Sequence, residues 1–405
     1  MSPHSQPDGH EPHWRRNLIV CLFGSFTTLV AMTLMLPFLP LYVQQLGVEG
    51  QASIARWSGV AYGATFLSAG LVAPLWGHMG DRYGRKLMLV RASLGMAVTM
   101  ALMGCATTIW QLVGLRLIAG LAGGYSSGAT IMVAAQAPRN RSAWALGLLA
   151  SGVMAGNLAG PLIGGILPPL IGIRMTFLGA GCLIFVAFLA TVLLVRETPR
   201  RSTTGARSRA GWADIPDKSL VLTTLGTGVL LMVATMSIEP IITLYIRTLI
   251  TDPARVTFTA GLVMSAAALG SIVSASPLGR LADRAGHGTV ITGALAVAGI
   301  LLVPQAFVTA GWQLIGLRFL MGLSLGGLLP CLSALIRHNV PDHSVGSVMG
   351  YAISAQYGGQ VVGPLICGFV AGQMGMRAVF LGTSVLLLLG AVCNWRVLRL
   401  SPPPP

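Results

Sequence analysis

The chain is 405 residues long, 54% hydrophobic and only 9% charged, with a formal net charge of +15 and a mean hydropathy of +0.75. Soluble domains carry roughly 25% charged residues, so a water-covered globule is excluded. The basic residues sit in short segments between apolar runs, without an aromatic-interleaved basic domain, so no nucleic-acid partner is expected.

A bilayer core about 30 Å thick takes about 20 apolar residues per helix. The runs here are long and continuous instead of alternating every second residue, which predicts an all-α polytopic membrane protein in the lipid bilayer and not a barrel. Residues 1–16 form a polar tail containing His4, His10 and His13 and ending in Arg15-Arg16. The apolar run after it is too long for a signal peptide and reads as a retained first span. Spans are expected at 17–43, 55–77, 87–107, 110–134, 143–168 and 175–195, a six-helix half covering 17–195. A polar linker follows at 196–219. Six more spans, at 220–246, 257–278, 289–309, 312–335, 345–371 and 377–396, make a second half over 220–396 with a tail at 397–405. If the N-terminus is cytoplasmic, most Lys and Arg fall on cytoplasmic segments. Only Arg56, Arg174, Arg247, Arg255 and Arg377 then fall outside, so the positive-inside rule puts both termini in the cytoplasm.

The two halves repeat. At an offset of 202 or 203, Trp110-Gln111-Leu112 recurs as Trp312-Gln313-Leu314, Leu115-Arg116 as Leu317-Arg318, and Leu41-Tyr42 as Leu244-Tyr245. Asp81-Arg82 likewise recurs as Asp283-Arg284, and Gly160-Pro161 as Gly363-Pro364. Six spans per copy give the copies the same orientation, as in two-domain secondary transporters with a midplane site between halves.

Three features carry chemistry. The loop after span 2 reads Gly77-x-x-x-Asp81-Arg82-x-Gly84-Arg85-Lys86, with a weaker copy around Asp283 and Arg284. Glycines allow a tight turn, and an acid-base cluster can latch onto a helix end. Span 5 holds Gly152-x-x-x-Gly156-x-x-x-Gly160-Pro161-x-x-Gly164-Gly165, where small residues let helix backbones approach and the proline bends the helix. Charges inside spans are functional candidates. Arg116 and Arg318 lie about six residues, roughly 9 Å, inside the outer ends of spans 4 and 10. Glu239 is the sole acid clearly within a span; its repeat partner is Leu36, so the repeat does not demand an acid there. Pairing with Arg318 would stabilise its charge, whereas desolvation would oppose it. Phe38, Tyr42, Met154, Asn157, Met236, Tyr245, Tyr357 and Gln360 are candidate cavity residues, with Met suited to varied ligands.

The loop pattern G-x-x-x-D-R-x-G-R-[KR] resembles the signature of the major facilitator superfamily, and the span-5 pattern resembles the motif of its drug:proton antiporter branch. Stretches such as Leu36-Pro37-Phe38-Leu39-Pro40 and Gly84-Arg85-Lys86-Leu87-Met88 extend the likeness to bacterial multidrug exporters over nearly the whole chain. The resemblance implies twelve transmembrane helices in two pseudo-symmetric six-helix halves, working as a monomer in the bacterial cytoplasmic membrane. It also implies proton-driven export of small drugs, with fosfomycin and deoxycholate as candidates, and a proton-transfer role for Arg116. The antiporter motif speaks against the alternative of a proton-coupled metabolite importer. The lack of any soluble receiver or enzymatic domain speaks against a membrane sensor. Neither a Walker sequence nor a metal-ligand cluster occurs, so no cofactor, metal or enzymatic activity is expected.

Overall fold

The computed structural model describes residues 13–197, 218–250 and 252–400; the first twelve residues of the expected 1–16 tail, most of the linker, residue 251 and residues 401–405 lie outside it. Among the described residues the secondary structure is helical throughout. The first half comprises α1 (Trp14–Leu34), α2 (Leu39–Gln45), α3 (Gln51–Tyr83), α4 (Arg85–Gly104), α5 (Ile109–Ala122), α6 (Tyr125–Gln136), α7 (Ser142–Ile171) and α8 (Ile173–Leu194). The second comprises α9 (Lys218–Leu249), α10 (Pro253–Ala285), α11 (His287–Gln305), α12 (Gly311–Leu325), α13 (Leu328–Asn339), α14 (Asp342–Met374) and α15 (Met376–Leu400).

Local chemistry explains the helix breaks. Span 1 is α1 and α2, interrupted beside Pro37, which offers no N–H to continue the helix. Span 4 is α5 and α6, broken at Gly123-Gly124, where Gly124 adopts φ +103°. Span 10 breaks at Gly326-Gly327 in the corresponding place, between α12 and α13. α15 runs to Leu400, so the helix extends into the expected tail at 397–405.

Eleven helical stretches among the described residues are long and apolar enough to cross a membrane. α14 is as long, at 33 residues, but Gln356, Gln360 and its glycines dilute its hydropathy. It packs lengthwise against both α3 and α9, so much of its surface meets protein instead of lipid. That position, between the halves, is why a less apolar sequence is tolerated there.

The repeat is carried into the packing. Tyr42 donates to the Met103 carbonyl and its ring lies 5.2 Å from Phe177, while Tyr245 donates to the Gln305 carbonyl at 3.0 Å and lies 5.0 Å from Phe380. The halves meet along α3–α14 and α7–α10, mostly on the side away from the termini. Gly59 abuts Pro364, Gly368 abuts Ala55 and Arg56, and Gly261 abuts Pro161. Ser265 on α10 donates to the Leu158 carbonyl of α7 at 2.8 Å. Thr243 donates to the Pro37 carbonyl, and Arg247 to Gln44 Oε1, each at 2.8 Å. At the opposite ends of the same helices, Gly77, Gly147, Gly279, Gly346 and Gly350 face open space. The far side is closed.

Candidate functional site

Where α3 packs against α5 and α9, Arg116, Tyr62 and Glu239 make a run of contacts from one half to the other, with Arg318 of α12 in electrostatic range of the last. Arg116 is buried at 1% exposure. Its Nε donates to the Ala61 carbonyl at 3.0 Å and its Nη2 reaches the Tyr62 carbonyl at 3.5 Å, while Nη1 lies 3.1 Å from Met35 Sδ. The guanidinium also sits 5.7 Å from the centre of the Tyr62 ring. The Tyr62 hydroxyl donates to Glu239 Oε2 in the second half and lies 3.6 Å from Met236 Sδ. Arg318 of the second half is within electrostatic reach of the carboxylate.

This arrangement corrects one expectation. Glu239 does not form a direct ion pair with Arg318 among the described residues; its hydrogen-bond partner is the Tyr62 phenol. Arg318 is 6% exposed, and its Nε has no hydrogen-bond partner. The two repeat-related arginines therefore differ: one is tied to backbone carbonyls, the other holds unfilled donor capacity in a low-dielectric setting, which is costly. Tyr62 escaped notice in the sequence because it is neutral and lies in the run Gly59-Val-Ala-Tyr62-Gly63-Ala. The available signal was a phenol at mid-span among small residues, far from the interfacial aromatic belt.

The span-5 glycines divide between two partners. A Cβ at Gly152, Gly156, Gly160 or Gly164 would meet α1, at Leu22, Leu29, Thr33 and the Leu34 carbonyl respectively. A Cβ at Gly165 would instead meet Thr257, Phe258 and Gly261 of α10, in the other half. Pro161 lies at the same crossing, its carbonyl against Gly261. The motif thus builds one seam inside the first half and touches the seam between halves.

Of the residues expected to latch the halves, Arg82, Arg85 and Asp283 make their described contacts within their own half. The side chain of Asp81 lies outside the described residues. Gly84 adopts φ +96°, Arg82 is exposed over the Tyr83 ring, and Arg85 donates to the Ile131 carbonyl of α6 at 3.1 Å. The backbone N–H groups of Arg85 and Lys86, at the start of α4, donate to Glu197 at 3.0 and 2.7 Å. In the second copy, Asp283 lies 3.6 Å from His287 one turn on, and Arg284 is exposed. Glu197 and Asn17 were not anticipated. Asn17 is buried against Gln136 and pairs with both backbone groups of Arg196, at 2.6 and 3.1 Å, so the first linker residues are fastened to the first half.

The cavity candidates also divide. Phe38, Tyr42 and Tyr245 are buried inside the halves, in the aromatic contacts with Phe177 and Phe380, so packing and not a cavity wall accounts for them. Met236 adjoins Tyr62, Gln360 Nε2 lies 3.5 Å from Met232 Sδ, and Tyr357 packs on Gly70 across the halves. Asn157 is half-buried and Met154 exposed on α7.

The sequence profile of the Major Facilitator Superfamily matches residues 21–252 and 224–405, and the chain belongs to that superfamily. It is a multi-pass membrane transporter. The multidrug resistance protein MdtG of Enterobacter lignolyticus is 41% identical over 96% of this chain and 93% of its own length. That of Salmonella typhimurium is 40% identical over 98% of both. The fold also resembles a bacterial homologue of the human lysosomal transporter Spinster in an inward-facing, unoccupied conformation. That likeness has a TM-score of 0.79 at 13% identity and covers 96% of this chain and 98% of the other. A point mutant of the nucleoside transporter NupG gives a TM-score of 0.75 at 14% identity, over 93% of this chain and 99% of the other.

Proposed function

We propose that this protein is a proton-driven multidrug exporter of the bacterial cytoplasmic membrane, with Glu239 as the group that exchanges protons. The carrying observation is the Arg116–Tyr62–Glu239–Arg318 row, which puts the one described in-span acid where the two halves meet. A carboxylate there has its surroundings rebuilt each time the halves rock, which is what coupling a proton to alternating access requires. The Lys and Arg distribution supports cytoplasmic termini, so closure on the far side corresponds to an inward-facing state. The complete span-5 motif and the multidrug resistance relatives favour export over import. Fosfomycin and deoxycholate are the first substrates to try, and Asp81 with the Arg82–Arg85 loop is the proposed latch of the alternate state. The chain is proposed to act as a monomer.

Purified protein in liposomes under an imposed pH gradient tests the reading. Wild type should move substrate against its gradient. Glu239→Gln, which keeps the shape and removes the titration, should bind substrate but lose gradient-driven transport, and Glu239→Asp should keep some. A Gln variant with the normal rate and pH dependence would make Glu239 structural.

A further inference from the structure

Glu239 has one hydrogen-bond partner in the other half of the molecule. Tyr62 belongs to α3, and α3 packs against α14 and α9 across the seam. The phenol is held firmly on its own side: the Phe66 ring contacts it edge-on at 5.3 Å, and Arg116 lies over its face while gripping the Ala61 and Tyr62 carbonyls.

Resting on the reading of Glu239 as the coupling group, we propose that Tyr62 is the positioning residue that makes proton release from Glu239 depend on the facing state. A donor to the charged form of a carboxylate favours that form. With the far side closed, the Tyr62 hydroxyl stabilises the Glu239 carboxylate, and the acid gives up its proton toward the open, terminal side. Rocking the halves apart on the far side breaks the bond, because donor and acceptor ride on different bodies. The carboxylate then lacks its donor in an apolar setting and takes a proton from that side. Each cycle carries one proton inward on Glu239, and Tyr62 keeps its own hydroxyl proton throughout. The direction is the one that can drive export.

The repeat supports this assignment independently. Tyr62 corresponds to Met264 in the second half, and Glu239 to Leu36 in the first. Donor and acceptor each stand where the other copy has an apolar residue, so neither is demanded by the scaffold. The other charged or titratable groups around Glu239 are few. Arg318 of α12 acts on it electrostatically, and Arg116 of α5 acts on Tyr62. Tyr357 and Cys367 are the titratable groups of the adjoining stretch of α14. Arg247, Arg255 and Asp252 lie at the far-side ends of α9 and α10, Arg377 at that of α15, and Arg337 and His338 at the terminal-side end of α13.

Tyr62→Phe removes only the hydroxyl and keeps the ring under Arg116. Infrared difference titration of the purified protein reads the Glu239 carboxyl directly, its band identified by its loss in Glu239→Gln. The expected result is a half-titration point about one pH unit or more higher in Tyr62→Phe than in wild type, roughly a tenfold change in proton affinity. In liposomes, the terminal-side pH needed for half-maximal coupled transport should rise by a similar amount. An unmoved carboxyl titration in a folded Tyr62→Phe protein overturns the proposal while leaving Glu239 as the coupling group. Undisturbed coupled transport in Glu239→Gln defeats the underlying reading instead, whatever Tyr62→Phe does. A change in substrate affinity without a titration shift assigns Tyr62 to packing and also overturns it.

Discussion

Gly164 and Gly165 are sequence neighbours with different partners, and this makes Gly165→Ala an informative substitution. A Cβ at Gly164 would run into the Leu34 carbonyl of α1, inside one half, so Gly164→Ala strains the half itself in every facing state. A Cβ at Gly165 would stand 2.8 Å from the Thr257 carbonyl, 3.2 Å from Phe258 Cα and 3.3 Å from Gly261 Cα. All three are backbone atoms of the other half, so no side-chain rotation relieves the contact. Overpacking of this kind costs about 1–3 kcal/mol. Because the clash exists only while α7 and α10 are apposed, that energy falls on the far-side-closed state alone. It should shift the balance of facing states by roughly 5- to 150-fold toward far-side opening. Ser265, buried at the same seam and bonded to Leu158, is the reporter position. In a background lacking the native cysteines, Ser265→Cys should react with an impermeant thiol reagent many times faster when Gly165→Ala is added, and little faster with Gly164→Ala. Equal rates with and without Gly165→Ala, in protein of normal melting temperature, would refute the assignment of Gly165 to a state-specific contact.

Two predictions concern the junction of α3 and α4, where Asp81 sits in the last turn of α3 and Glu197 caps α4. Glu197 accepts from the first two N–H groups of α4, so Glu197→Gln gives up a charge at a helix N-terminus and should lower stability by about 1 kcal/mol, read by thermal unfolding in detergent. Asp81→Asn should weaken a helix-end contact worth roughly 0.3–2 kcal/mol and move the protein further toward inward-facing states. Cysteine accessibility on the two faces measures that shift, and unchanged accessibility with normal transport would make Asp81 an ordinary loop residue.

The fold was readable in the sequence because two strong signals agree. Apolar runs of bilayer length set the helices, and the repeat set their pairing. The latter reappears in three dimensions in the matched Tyr42–Phe177 and Tyr245–Phe380 contacts. The helix breaks at Pro37 and at the Gly123-Gly124 pair follow from residues whose backbone chemistry is local. Charge within a span pointed to Arg116, Glu239 and Arg318, all of which fall in one row. What could not be read was which partner each would choose. That depends on side-chain reach across a seam between helices far apart in sequence, and a neutral phenol carries no compositional mark. The same limit applies to the aromatics. Tyr42 and Tyr245 recur in both copies because each ties two spans of one half together, and recurrence in both copies fits scaffolding better than ligand contact.

That distinction yields a test of Arg116 and Arg318, which recur in both copies yet differ in their bonding. Replacing a buried ion by an apolar residue of similar volume is often neutral or stabilising by about 1–4 kcal/mol, whereas cutting a satisfied one out of its network is not. Arg116 holds the Ala61 and Tyr62 carbonyls and covers the Tyr62 ring, so Arg116→Met should lower the melting temperature of the purified protein. Arg318 has an unfilled Nε and no direct ion pair among the described residues, and Glu239 keeps its bond to Tyr62 without it. Arg318→Met should therefore leave the melting temperature unchanged or raise it, while gradient-driven transport is lost. A residue whose removal stabilises the fold but stops the work is retained for the work. If Arg318→Met destabilises as much as Arg116→Met, the two arginines are equivalent struts and the asymmetry of the row has no functional meaning.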